Sequence, residues 1–150
     1  MKNQVKYLSA LLPFLMLFSA CTPSVEEEAR PEAGYFEADG MNLFGIENKV
    51  GLIKLNGDKD VEIATPGHYE IFFWGELAET GSSYRMTGKH PESGEIQTPY
   101  EWPLQHFQGK GDAVSGAKFA VETPGEWLFT FYLDEKEFVS FTIDMKSGSK

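Results

Sequence analysis

Cysteine occurs once in this chain, at position 21, directly behind Phe18-Ser19-Ala20. A lone thiol cannot close an internal disulfide, so its chemistry must be with something outside the chain. Small side chains at Ser19 and Ala20 suit a peptidase that admits only small residues beside the scissile bond. A cysteine immediately after such a site is the lipobox arrangement, with Phe18 standing where leucine is usual. The reading is cleavage before Cys21 and a thioether-linked diacylglycerol on its sulfur, with no other cofactor. Two or three acyl chains, palmitate among them, hold a protein on a bilayer where one chain does not.

Other chemistries find less support. No Gly-x-Ser-x-Gly elbow is present, and no glycine-rich loop precedes a helical pattern. His68, His90 and His106 are isolated from one another, with no His-x-His or His-x-x-x-His pair to begin a metal site. Asn56, Asp58, Asp60 and Glu62 alternate oxygen ligands as a calcium loop would. An EF-hand, however, needs glycine sixth and glutamate twelfth, where this chain has Val61 and Gly67. A solvated strand face accounts for that alternation. With 23 acidic residues, paired carboxylates are available but none is singled out. The expectation is a protein that is not an enzyme and holds no metal.

Aromatic residues make up 14% of the chain. Tyr84, Tyr100, Trp102 and Phe107 fall in a Gly/Pro-rich middle around Thr98-Pro99-Tyr100-Glu101-Trp102-Pro103. Rings flanked by polar groups stack on sugars or anchor a protein partner. Equally, they can fill or cover the ends of a core. Trp74, Tyr84, Tyr100 and Trp102 are the candidate contact strip.

The elements that must position these rings begin with an export segment. Lys2 and Lys6 precede an apolar run from Leu8 to Phe18, interrupted only by Ser9 and Pro13. That is signal-peptide length, well short of the roughly 20 residues a membrane-spanning helix needs. Removing residues 1–20 takes away two basic residues and no acidic ones, leaving 11 basic against 23 acidic, a net charge of about −12. Such charge argues against nucleic acid and against adsorption to anionic headgroups. Residues 21–40 read as the lipidated cysteine and a flexible acidic tether, rich in Glu and Pro and poor in anything to bury. No regular structure is expected before about residue 41.

Residues 41–150 read as a single all-β domain, an immunoglobulin-like antiparallel sandwich. Val50 to Leu55, an Asn56-Gly57 turn and Asp60 to Ala64 form a predicted hairpin. His68 to Trp74 places Tyr69, Ile71 and Phe73 on one face and Phe72 and Trp74 on the other. Shorter strands are predicted at Tyr84 to Thr87 and Gly116 to Val121. Trp127 to Leu133 and Phe138 to Met145 alternate most clearly, joined through Asp134-Glu135-Lys136. Val61-x-Ile63-x-Thr65-Pro66-Gly67-x-Tyr69-x-Ile71-x-Phe73 is echoed 58 positions later by Phe119-x-Val121-x-Thr123-Pro124-Gly125-x-Trp127-x-Phe129-x-Phe131. Two similar crossover turns in one sandwich explain the echo better than a duplicated half-domain.

Phe72-Phe73-Trp74-Gly75, Tyr84-Arg85-Met86-Thr87-Gly88, Ser93-Gly94, Pro124-Gly125-Glu126-Trp127 and Phe131-Tyr132-Leu133-Asp134 with Phe138 resemble a family of small Bacillus-type lipoproteins. Its members carry an immunoglobulin-like domain of unknown function. The resemblance spans about residues 65 to 145. It implies a β-sandwich lipoprotein of a Gram-positive bacterium and transfers no catalytic residue. The expected location is the cell envelope: the outer face of the plasma membrane, or the outer membrane of a Gram-negative cell, which Thr22 behind Cys21 would permit. The expected partners are the membrane, through the lipid, and a cell-wall polymer, glycan or envelope protein. The alternatives are an accessory subunit of a membrane complex and, third, a small envelope enzyme.

Overall fold

A computed structural model describes residues 30–57, 59–121 and 123–148. The expected signal segment, the expected lipidation site Cys21 and the expected tether as far as residue 29 lie outside the described residues. The elements in order are β1 (Gly34–Ala38), β2 (Met41–Ile46), β3 (Val50–Lys54), β4 (Ile63–Ala64), β5 (Gly67–Phe73), α1 (Glu76–Thr80), β6 (Tyr84–Lys89), β7 (Ile96–Gln97), β8 (Tyr100–Glu101), β9 (Ala113–Phe119), β10 (Gly125–Leu133) and β11 (Lys136–Ser147). They form two sheets, β1-β2-β3-β5-β9-β8 and β4-β11-β10-β6-β7. All pairings are antiparallel except the short contact of β4 with β11. The architecture is the all-β sandwich the alternation predicts.

The core lies between the sheets and follows from period-2 alternation. Tyr69, Ile71 and Phe73 of β5 face Trp127, Phe129, Phe131 and Leu133 of β10, with Phe141, Ile143 and Met145 of β11 beside them, all buried. Ring contacts run through this layer, Tyr69 on Phe119 at 4.2 Å and Phe131 on Phe141 at 5.5 Å. Lys54 is the one lysine or arginine side chain buried among the described residues. Its Nζ donates to the Ile63 carbonyl at 3.1 Å and to Thr65 Oγ1 at 2.7 Å. Those bonds hold the entry to β5.

Both Thr-Pro-Gly segments cross between sheets. The first leads from β4 in one sheet to β5 in the other, and the second from β9 back to β10. Each delivers a buried aromatic, Tyr69 or Trp127, to the end of the core.

Three local predictions need correction. Regular structure begins at Gly34, not near residue 41. Asp39 and Gly40 both take positive φ (51° and 73°), making a two-residue turn that folds β1 onto β2. Tyr35 and Phe36, set in a charged stretch, supply the side chains that let β1 join the sheet. The Val50 to Ala64 hairpin does not form. β3 pairs instead with β2 and β5, and β4 joins the opposite sheet. Asn56-Gly57 still bends the chain, and Asn56 Oδ1 accepts from the His68 amide. Third, a short helix, α1, interrupts the β pattern.

The β10–β11 turn is Asp134-Glu135, again with both residues at positive φ. Asp134 Oδ1 accepts from the Ser82 and Ser83 amides at 3.0 and 2.9 Å and from both serine hydroxyls. These donors, the Ser82 amide foremost, hold the exposed carboxyl below the usual carboxylate range. A depressed folded-state pKa stabilises the fold above the unfolded value of about 3.9, and that contribution is lost as pH falls through the folded value. The melting temperature of the wild type should therefore fall more steeply below about pH 4 than that of Asp134→Asn. Parallel curves in a thermal melt series would remove this role.

Candidate functional site

The outer face of the six-stranded sheet carries the site. Two cross-strand rows follow from the register. One runs Ile53, Glu70, Gly116, and the next runs from Leu55 beside His68 to Lys118 and Tyr100. Beyond β8 the chain continues along β9, with the Trp102 amide donating to Gly116 and Gln105 exchanging both backbone bonds with Val114. Between them Leu104 turns into the core, while Ser115 Oγ donates to the Trp102 and Pro103 carbonyls at 2.6 and 3.2 Å. The segment is thus fixed to β9 although it is irregular.

Gly116 makes room for the indole. A Cβ there would stand 2.9 Å from Trp102 Cε3, so the ring lies directly against the sheet. Tyr100 meets Trp102 edge-on at 5.4 Å, and His68 approaches the same ring at 6.3 Å. Trp102, Phe107 and Leu55 border a groove of about 240 Å³ whose polar groups include His68, Glu70 and Gln105. Glu101 points the other way: its Oε1 accepts from the Met86 amide at 2.6 Å and so ties β8 to the opposite sheet. Burial raises its carboxyl pKa, partly offset by that hydrogen bond.

No family model matches the chain, and no curated protein matches its sequence. A crystal structure of a Bacillus anthracis protein, provisionally described as a lipoprotein, is similar in fold, with a TM-score of 0.51 at 16% identity. The match covers 77% of this chain and 86% of that one. At this identity the likeness is one of fold.

The four predicted ring residues separate. Tyr100 and Trp102, 68% and 38% exposed, stand together at the groove. Trp74 is half-buried beside Phe36 and Phe72 and is not among the residues that border the groove. Tyr84 is buried between the sheets, 5.4 Å from the Phe73 ring, with its hydroxyl toward Met86 Sδ. It belongs to the core and not to a surface strip. Alternation of Tyr84-Arg85-Met86-Thr87 carried that information, since two apolar residues share a face and two polar ones the other. Leu55, Glu70 and Gln105 carried no such signal, because β3–β5 pairing and the path of residues 102–107 bring them together.

Among the described residues no cluster of three or more His, Cys, Asp or Glu could hold a metal ion. Asp60 Oδ1 is engaged by the Tyr35 hydroxyl and the Glu62 amide, and Glu62 pairs with Lys146 at 3.2 Å. Asp60 and Glu62 therefore serve separate local contacts, while Asp58 lies outside the described residues. Ser93 Oγ lies 2.9 Å from His90 Nδ1, but the same nitrogen accepts from the Ser93 amide at 3.1 Å. The buried imidazole, edge-on to Trp127, closes its own turn. What the groove offers is an aromatic surface with nearby hydrogen-bonding groups.

Proposed function

We propose that the chain is a non-enzymatic, extracytoplasmic binding module, anchored to the membrane by a diacylglycerol on Cys21, whose groove takes a cell-wall glycan. One observation carries the glycan reading. Of the six large apolar side chains exposed among the described residues, Leu55, Trp102 and Phe107 border one groove and Tyr100 adjoins it. Apolar rings beside Glu70, His68 and Gln105 match a sugar, which offers C–H faces to the rings and hydroxyls to the polar groups. A net charge of about −12 beyond residue 20 disfavours polyanions as ligands. The lipobox at Phe18 to Cys21 supports the anchor, as does the description of the structural neighbour.

A second reading, an accessory subunit docking on an envelope protein, draws on β11. One edge pairs with β10 along its length, while the other meets only β4, at Lys146 and Ser147, among the described strands. An open edge accepts a partner strand.

Retention of the full chain, purified in detergent, on cell wall separates the readings. Detergent-solubilised envelope proteins serve as the second bait. Wall retention is expected, reduced about tenfold by Trp102→Ala, a loss of the size seen for central aromatic contacts. Trp74→Ala, outside the groove, should bind as the wild type does. A specific protein partner without wall retention would favour the accessory subunit, and retention indifferent to Trp102 would remove the groove from the function.

A further inference from the structure

His106 lies just before Phe107, at the end of the segment pinned to β9. Its Nδ1 stands 3.0 Å from the Asp112 carbonyl oxygen and its Nε2 2.9 Å from the Gly81 carbonyl oxygen. A carbonyl oxygen only accepts, so both contacts are hydrogen bonds only if both ring nitrogens donate. Neutral imidazole has one N–H and imidazolium has two. The geometry points to His106 as a proton-dependent strap that, in its imidazolium form, fixes the outer wall of the groove. The functional weight of the strap rests on the proposed binding role of that groove.

The strap joins three pieces of chain. Gly81 follows α1, Asp112 precedes β9, and His106 sits on the loop that presents Phe107. Every backbone bond from the segment to β9 lies at Gln105 or earlier. Past His106 the next ties are the Gly111 amide to Asp39 Oδ2 at 3.0 Å and the Asp112 amide to the Phe73 carbonyl at 2.9 Å. Phe107 through Lys110, all exposed, span the interval with His106 as the near anchor. Loss of one proton turns one of the two contacts into facing lone pairs, and that side of the wall is released.

His106 itself lines a neighbouring depression that shares Phe107 with the groove, and the titratable groups around it are Glu79, from α1, and Asp112. Asp112 Oδ2 already accepts from the Gly75 amide at 2.6 Å. From the β10–β11 turn, Asp134 reaches Ser82 and Ser83, next to Gly81, where all four of its bonds are made. Asp39, on the β1–β2 turn, is held by Gly111. Lys110 is the basic residue within the spanning loop. Of these groups, His106 is the one whose two polar atoms both face carbonyl oxygens.

Hydrogen exchange of the full chain in detergent, read on a peptide covering residues 105–112, decides the matter. After correction for intrinsic rates, protection should fall by about fivefold or more between about pH 5.5 and about pH 8.5. In His106→Gln, whose amide donates to one carbonyl at any pH, the response should be flat. Equal protection at both pH values in the wild type, or the same response in the variant, overturns the strap. Cell wall is bound in parallel at both pH values. Tighter retention in acid by the wild type, but not by His106→Gln, ties the strap to the groove. Equal retention while protection changes overturns its control of binding and leaves the binding function standing. No retention at either pH overturns the binding function, and the strap is then decided by exchange alone.

Discussion

Trp127→Ala is expected to lower folding stability by about 3–5 kcal/mol, the range for removing a large buried aromatic. The indole is fully buried, stacks with Phe129 and meets His90 edge-on at 5.3 Å. Its Nε1 donates to the Thr123 carbonyl at 2.8 Å, closing the crossover into β10. Alanine would leave a cavity and an unsatisfied carbonyl in the same place, and the two losses add. Trp127→Phe, which keeps most of the volume and loses only the donor, should cost about 1–2 kcal/mol. Urea unfolding measures both variants. With a slope of about 1–3 kcal/mol per molar, the alanine variant should lose at least about 1 M in midpoint. A midpoint shift no larger than that of Trp127→Phe would mean that the crossover does not depend on the ring.

Gly45→Ala should be comparably damaging for a different reason. Gly45 sits in β2 between Gly34 of β1 and Gly51 of β3, a row of three glycines across neighbouring strands. Its φ is +153°, and a Cβ would come 2.1 Å from the Val50 carbonyl oxygen. That contact is with backbone, so the β2–β3 pairing itself must shift. Strain and overpacking together give about 2–5 kcal/mol. Gly34→Ala is the control, because a Cβ there meets nothing within 4 Å and φ is not positive. It should be neutral to within about 0.5 kcal/mol, or slightly stabilising through the unfolded chain. If chemical denaturation gave the two variants the same midpoint, the close approach at Gly45 would not be what requires glycine.

Why some of this was legible and some was not comes down to what each signal measures. β5, β10 and β11 alternate over seven or more residues with one face wholly apolar, and such a pattern has one reading. The paired Thr-Pro-Gly segments were legible because proline fixes φ and glycine admits backbone conformations other residues avoid, whatever the partner strand. The Asn56-Gly57 turn was legible as a turn but not as a hairpin. A local signal says that the chain bends and not where its next strand goes, and here the better partner for β3 was β5. β1 was hidden by composition, since Glu37 lies within the strand, Asp39 follows it, and of its two rings Phe36 is half-buried while Tyr35 stays exposed. For the site, Tyr100 and Trp102 stood out by residue type alone. Tyr84 was misplaced by giving type precedence over alternation. The groove's partners from β3 and β5 became visible only when three strands, distant in sequence, were laid side by side.

The two crossovers have a kinetic meaning as well. β10 and β11 are joined by two residues and can pair as soon as both exist, whereas Gly67 of β5 pairs with Phe119, 52 positions on. Closing so long a loop is slow compared with zipping a hairpin. The β1-β2-β3 ribbon can also form early, yet the sheet that covers the inner face it shares with β5 is built around β10 and β11, which are made last, with β6 paired to β10. A chain emerging from its N-terminus therefore carries Tyr69, Ile71 and Phe73 uncovered until the final third arrives. Such a chain must be kept from aggregating for as long as its synthesis or passage takes, and its own C-terminal hairpin ends that dependence.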